Sequence, residues 1–203
     1  MKKLVKNRVI TGVLRISMSG AQVLVIYMLL KYTGIIAAIS GTSNQILLNS
    51  GLKDVDTASV PAAAEKFDYD FSVKSLSGEV FKMSEFKDKV LFINLWATWC
   101  GPCRTEMPAI QSLYDKIDDD EIKFIMLSID NPGQEKKVKK YVEDKSYTFP
   151  VYTPAGYLTD QLAVPSIPTT FVVNKEGRIV VKRVGMTNFD TPKFKAYLEK
   201  LAE

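Results

Sequence analysis

Two cysteines, in Cys100-Gly101-Pro102-Cys103, stand behind a nearly unbroken apolar run, Val90–Trp96 (VLFINLW), and ahead of a helical stripe. No other feature of the chain limits its fold so strongly. The apolar run predicts a strand buried on both faces of a sheet. Ile110, Leu113, Tyr114 and Ile117 recur at i, i+3, i+4 and i+7, the stripe of an amphipathic helix. The cysteines therefore fall at a strand-to-helix junction. There the unpaired N–H groups and the positive end of the helix dipole favour a thiolate at the first cysteine and draw its pKa toward neutrality. Pro102 suits a first helical turn, where its missing N–H costs nothing, and the spacing lets the second cysteine reach back to the first.

Three chemistries compete for such a pair. A zinc site needs four ligands, and the chain has two cysteines and no histidine. A static disulfide across so short a loop adds little stability, because the entropic gain grows with loop size. The third is disulfide exchange. Cys100 attacks a substrate disulfide, and Cys103 resolves the mixed disulfide by closing the intramolecular bond. The absence of histidine also excludes a Ser-His-Asp triad, a Cys-His protease pair and His-ligated zinc, copper or haem. No cofactor and no metal are called for.

Charge is unevenly distributed. Residues 1–53 hold seven of the 27 cationic residues and no acid, leaving 20 against 23 acids in residues 54–203. The basic pI of about 8.9 thus belongs to the amino terminus, and nothing in the remainder suits a nucleic-acid partner. Four cations within residues 1–8 precede an apolar region interrupted by Arg15 and Lys31, the layout of a signal anchor. The uncharged stretch Ile16–Leu30 makes about 22 Å of helix, short of a hydrocarbon core of about 30 Å. A single transmembrane helix near Val9–Leu30 keeps Arg15 close enough to the basic end to snorkel. Residues 1–8 would stay cytoplasmic, 9–39 would anchor, 40–65 would tether, and 66–203 would fold outside an inner membrane. Ala38-Ile39-Ser40 also offers small residues for signal-peptide cleavage before Gly41, so removal of the segment is a second possibility.

The folded part reads as α/β. Asp68–Lys74 and Glu79–Lys82 predict a hairpin about Ser75-Leu76-Ser77-Gly78, and Lys123–Asp130 predicts a second buried strand. Glu135–Lys145 predicts a basic helix with Val138, Tyr141 and Val142 inward. An irregular region after Pro150 carries one helix turn at Tyr157–Ala163. Thr169–Asn174 and Arg178–Val184 predict a hairpin about Lys175-Glu176-Gly177, and Phe194, Tyr197, Leu198 and Leu201 a terminal helix. A βαβα half followed by a ββα half predicts a central mixed sheet with helices on both faces.

Trp96-Ala97-Thr98-Trp99-Cys100-Gly101-Pro102-Cys103, with Pro108 and Ile167-Pro168-Thr169, resembles the thioredoxin superfamily. Cys103-Arg104-Thr105-Glu106-Met107-Pro108 and Pro168-Thr169-Thr170-Phe171 are similar, more narrowly, to membrane-anchored thiol–disulfide oxidoreductases of the TlpA/ResA type. The resemblance covers about residues 67–203. It implies a thioredoxin-like fold with an N-terminal hairpin and a central insertion around Asn131–Val164. It also implies a cis Ile167-Pro168 bond lying against the cysteines. Trp99, Gly101, Pro102, Ile167 and Pro168 then form the substrate-binding surface. Further implied partners are oxidised exported proteins, such as apocytochromes c, and a membrane thiol donor of electrons.

One departure is informative. Six residues before Cys100, where many thioredoxins carry a buried Asp, this chain has Asn94, which cannot take a proton from the resolving thiol. Glu106 matches a glutamate of the TlpA/ResA-type pattern. It is either a partly buried carboxyl that handles the Cys103 proton or an ordinary first-turn acid. Trp96 reads as core, Arg104 as a solvated charge, and Pro108 as a kink. The Gly101-Pro102 dipeptide is that of thioredoxin itself, whose potential is about −270 mV, which favours a reductase. The alternatives are a thiol oxidase or isomerase, with a strongly acidic first cysteine, and a redox-silent binding module on the same scaffold.

Overall fold

The computed structural model describes residues 65–203 together with Gln22, Leu24, Val25, Tyr27 and Met28. In the amino-terminal unit those five residues are helical, and Leu24, Val25, Tyr27 and Met28 are exposed. The basic stretch 1–8, the remainder of the expected anchor 9–39, and the linker 40–65 apart from Glu65 lie outside the described residues. Among the described residues no helix is long and apolar enough to cross a membrane.

The second unit is built on one seven-stranded mixed sheet. In chain order the strands are β1 (Ser72–Ser75), β2 (Val80–Lys82), β3 (Val90–Trp96), β4 (Ile122–Ser128), β5 (Val151–Pro154), β6 (Thr169–Val173) and β7 (Ile179–Val184). Across the sheet they run β2-β1-β5-β4-β3-β6-β7. β3 pairs parallel with β4 and β4 with β5, while the other neighbours are antiparallel. The α-helices are α1 (Gly101–Lys116), α2 (Glu135–Asp144) and α3 (Pro192–Ala202). β3 lies inside the sheet between β4 and β6 and is buried along its whole length, as its composition requires. Asn94 stands in the middle of it, opposite Met126 of β4 and Thr170 of β6.

Three expectations need correction. The region after Pro150 is not wholly irregular: Val151–Pro154 forms β5, which joins the hairpin β1–β2 to the parallel core. Four residues with a terminal proline are too short to show alternation, so β5 left no periodic signal. Asp68–Phe71 is not strand, and β1 begins at Ser72. Upstream of it only a lone bridge, Lys66 to Arg178, reaches the sheet. Finally, the helices do not divide between two faces. Met107, Ile110 and Leu113 of α1, Val138 and Val142 of α2, and Phe194 and Leu198 of α3 share one core with Val90, Phe92 and Trp96. The crossovers β3–α1–β4 and β4–α2–β5 step the same way along the sheet, so right-handed connections put both helices on one side. The opposite core, around Leu91, Ile93 and Leu95, is closed by Phe67, Phe71 and two 3₁₀ turns, Met83–Phe86 and Asp160–Leu162, through Met83 and Leu162.

Candidate active site

Cys100 is the N-cap of α1. Its Sγ accepts the Cys103 backbone N–H at 3.2 Å, and Pro102 occupies the first turn. The two cysteines form a disulfide with Cα atoms 5.3 Å apart. Cys103 is 0% exposed, whereas Cys100 is 5% exposed and flanked by Gly101, Pro102 and Trp99, the last 62% exposed. Any approach to the bond from solvent is therefore to Cys100. Across the pair lies the Ile167–Pro168 peptide, which is cis, with the Ile167 carbonyl oxygen 3.8 Å from Cys100 Sγ. In the disulfide that sulfur carries no proton, so this is a contact and not a hydrogen bond. The Gly185 N–H donates to the Pro168 carbonyl at 2.8 Å and fixes the loop to the end of β7.

The structure thus gathers Trp99, Cys100, Gly101, Pro102, Ile167 and Pro168 at one place. Glu106 is a separate matter: it lies beneath the surface, 1% exposed. Its Oε1 accepts from Asn94 Nδ2 at 2.8 Å, and its Oε2 accepts from the Thr187 backbone N–H at 3.1 Å. Asn94 Nδ2 donates also to Thr170 Oγ1 at 2.8 Å. Burial pushes the Glu106 carboxyl up to about 8, against the weaker downward pull of the hydrogen bonds from Asn94 and Thr187. An ordinary first-turn acid would be solvated, so that reading fails. Glu106 sits three residues beyond Cys103 on the same helix, the separation at which side chains are neighbours.

Of the remaining residues, Trp96 is core as expected and Arg104 is exposed, its guanidinium 5.7 Å over the Tyr141 ring. α1 runs unbroken through Pro108. Among the described residues no group of three or more Cys, Asp or Glu is placed to hold a metal ion.

Asp130 is a site residue that sequence reasoning passed over as the end of a strand. Its Oδ2 accepts the Thr98 backbone N–H at 2.8 Å and the Ser128 hydroxyl at 2.9 Å, and its Oδ1 accepts the Thr98 hydroxyl at 2.5 Å. Lys137 of α2 stands 3.7 Å from it. These bonds hold the Thr98-Trp99 turn that delivers Cys100 to the helix. The one signal available was position, since Asp130 follows β4 at its carboxyl end, beside the strand that leads to the cysteines. Replacing Asp130 by Ala strands three buried donors, and the expected loss is about 2–4 kcal/mol of stability. Urea unfolding of the oxidised protein checks this, and a loss under about 0.5 kcal/mol would remove the clamp.

A family model described as the AhpC/TSA family matches residues 65–182, more than half of the chain. The thiol-disulfide oxidoreductase ResA of Bacillus cereus is 33% identical over 132 residues, which is 64% of this chain and 74% of that protein. The thioredoxin-like protein YneN of Bacillus subtilis is 34% identical over 116 residues, 57% of this chain and 68% of its own length. The crystal structure of StoA from Bacillus subtilis superposes with a TM-score of 0.52 at 26% identity, covering 70% of this chain and all of that one. The fold is thioredoxin-like, and with its paired cysteines at a helix N-cap the chain belongs to the AhpC/TSA family, as a thiol–disulfide oxidoreductase of the ResA type.

Proposed function

We propose that the protein is a membrane-anchored, extracytoplasmic reductase of disulfides in exported proteins, with apocytochromes c among the candidates. The observation that carries the reading is the unequal access to the two sulfurs: Cys100 reaches solvent beside Trp99 and Cys103 does not. In the reduced protein the Cys100 thiolate, favoured at the N-cap of α1, attacks one sulfur of a substrate disulfide. The substrate S–S bond breaks and its other sulfur leaves as a thiolate. Trp99, Gly101, Pro102 and Ile167 present the surface on which the substrate chain lies, while Pro168 is buried beside them. Cys103 then passes its proton to the Glu106 carboxylate. The new thiolate attacks Cys100 Sγ, releases the second substrate sulfur and closes the disulfide seen here. A carboxyl near 8 is close to a free thiol near 8.5, so this proton moves between groups of matched affinity.

Two electrons leave the protein in each cycle, and a thiol donor in the membrane returns them. Support for the anchor comes from the seven unopposed cations of residues 1–53 and from Leu24, Val25, Tyr27 and Met28, helical apolar residues each more than half exposed. The test is the redox state of Cys100 and Cys103 in intact cells, fixed by acid quench, alkylated with a bulky maleimide and read by gel shift. A pair mainly reduced in growing cells is expected. A pair mainly oxidised would reverse the direction of transfer and make the protein an oxidase or isomerase.

A further inference from the structure

The segments that surround the disulfide are almost free of charge. Residues 96–105 carry the cysteines and 161–170 carry the cis peptide. Residues 184–189 are tied to both, by the Gly185 N–H on the Pro168 carbonyl and the Thr187 N–H on Glu106 Oε2. Arg104 is the only charged residue in the three segments. It stands one helical turn beyond Cys100: its N–H donates to the Cys100 carbonyl at 3.1 Å, and residues four apart share a helix face. The guanidinium is exposed and lies 5.7 Å over the Tyr141 ring of α2. Tyr141 packs in turn on Trp96, with ring centroids 5.7 Å apart, and Trp96 is fully buried, so the shelf under the arginine is anchored in the core. Among the described residues no carboxylate forms an ion pair with Arg104. A ring contact offers its N–H donors no lone pair, so the planar fork that matches a carboxylate is unused. Lys137, one turn before Tyr141 on α2, is committed to Asp130 at 3.7 Å and does not share that task.

We propose that Arg104 determines substrate specificity by pairing with a carboxylate side chain, Asp or Glu, that lies close to the reacting cysteine in the substrate segment. The inference rests on the exchange surface proposed above and names the chemistry which that surface selects. The pairing is non-covalent and sits at an exposed rim, so it acts on capture and orientation of the substrate and is screened by salt. The rival role for a cation one turn from Cys100 is support of the thiolate, which would speed attack on every disulfide alike. Two contacts favour recognition. The Cys100 sulfur faces the Ile167 carbonyl at 3.8 Å, whereas the guanidinium is held over Tyr141 of the neighbouring helix, on the flank of the cysteine turn.

The experiment uses the reduced full chain in detergent micelles and two synthetic peptides, each closed by one disulfide and identical except that Glu or Lys flanks both cysteines. Second-order rates of peptide reduction are read by acid quench and mass spectrometry. Flanking charge alters a peptide's own reactivity, so the quantity that matters is the Glu-to-Lys rate ratio in the parent divided by the same ratio in Arg104→Gln. That quotient is expected to be about five to ten at low salt and to fall toward one at about 0.5 M salt. Against Arg104→Glu it is expected to be larger still, and against Arg104→Lys smaller, because lysine keeps the charge and lacks the fork. A quotient near one at low salt would overturn the proposal. Any slowing by Arg104→Gln would then be shared by both peptides, and the arginine would serve only the Cys100 thiolate. The direction of transfer fails separately. If the pair proved oxidised in cells, the oxidised chain acting on the dithiol forms of the same peptides is expected to give the same quotient, since the same mixed disulfide forms on Cys100.

Discussion

Cys100→Ser is expected to abolish insulin-disulfide reduction, by at least about a thousandfold, because no other group in the chain can make the first attack. Cys103 cannot take over, since it is fully buried behind Cys100 and inside the first turn of α1. A serine hydroxyl at the N-cap would still satisfy the Cys103 N–H, so the helix start and the fold are expected to survive. Cys103→Ser separates the two steps. It leaves the nucleophile that solvent can reach but removes the resolving thiol, so mixed disulfides with substrate are expected to accumulate on a non-reducing gel. If Cys100→Ser kept its activity, or if the trapped species formed on Cys103 instead, the assignment of nucleophile and resolver would be reversed or lost. The same trapped complexes identify the exported partners by their sequences.

How much of this was open to sequence reasoning follows from the range of the interactions. The cysteine junction was legible because everything that shapes it is local: a buried strand, a turn, a proline in the first helical turn and a stripe at helical spacing. The long helices and β3, β4, β6 and β7 were legible for the same reason, within a residue or two at their ends. β5 was not, because its status depends on its neighbours β1 and β4 and not on its own four residues. The one-sided placement of the helices was hidden likewise, since it follows from strand order, which β5 completes. Asn94 drew notice as a departure, but its bond to Glu106 spans 12 residues and its bond to Thr170 spans 76, and no local pattern encodes either. Asp130 holds Thr98 from 32 residues away. The resemblance reached what local pattern did not, the cis peptide at Ile167–Pro168, which is a minority conformation in any sequence.

Glu106→Gln is expected to act on stability and on rate in opposite directions. In the folded protein the carboxyl titrates near 8 and in the unfolded chain near 4.5, so between those values the folded state holds a proton that the unfolded state has lost. The contribution of this group to stability is fully present below about pH 4.5, falls as pH rises toward about 8, and is gone above it. The full swing is roughly 5 kcal/mol at most. Glutamine does not titrate and keeps the buried site neutral, so urea unfolding at pH 5 and pH 9 is expected to show a variant whose stability relative to the parent improves with pH. Its amide cannot accept the Cys103 proton, and the resolving step is expected to slow by about a hundredfold or more, with the limb of the pH profile near 8 removed. A purely structural glutamate would produce the stability effect and leave the profile of thiol–disulfide exchange as it was. Rapid-mixing measurement of resolution across pH 6 to 10 therefore decides whether the buried carboxyl moves a proton or only fills its place in the core.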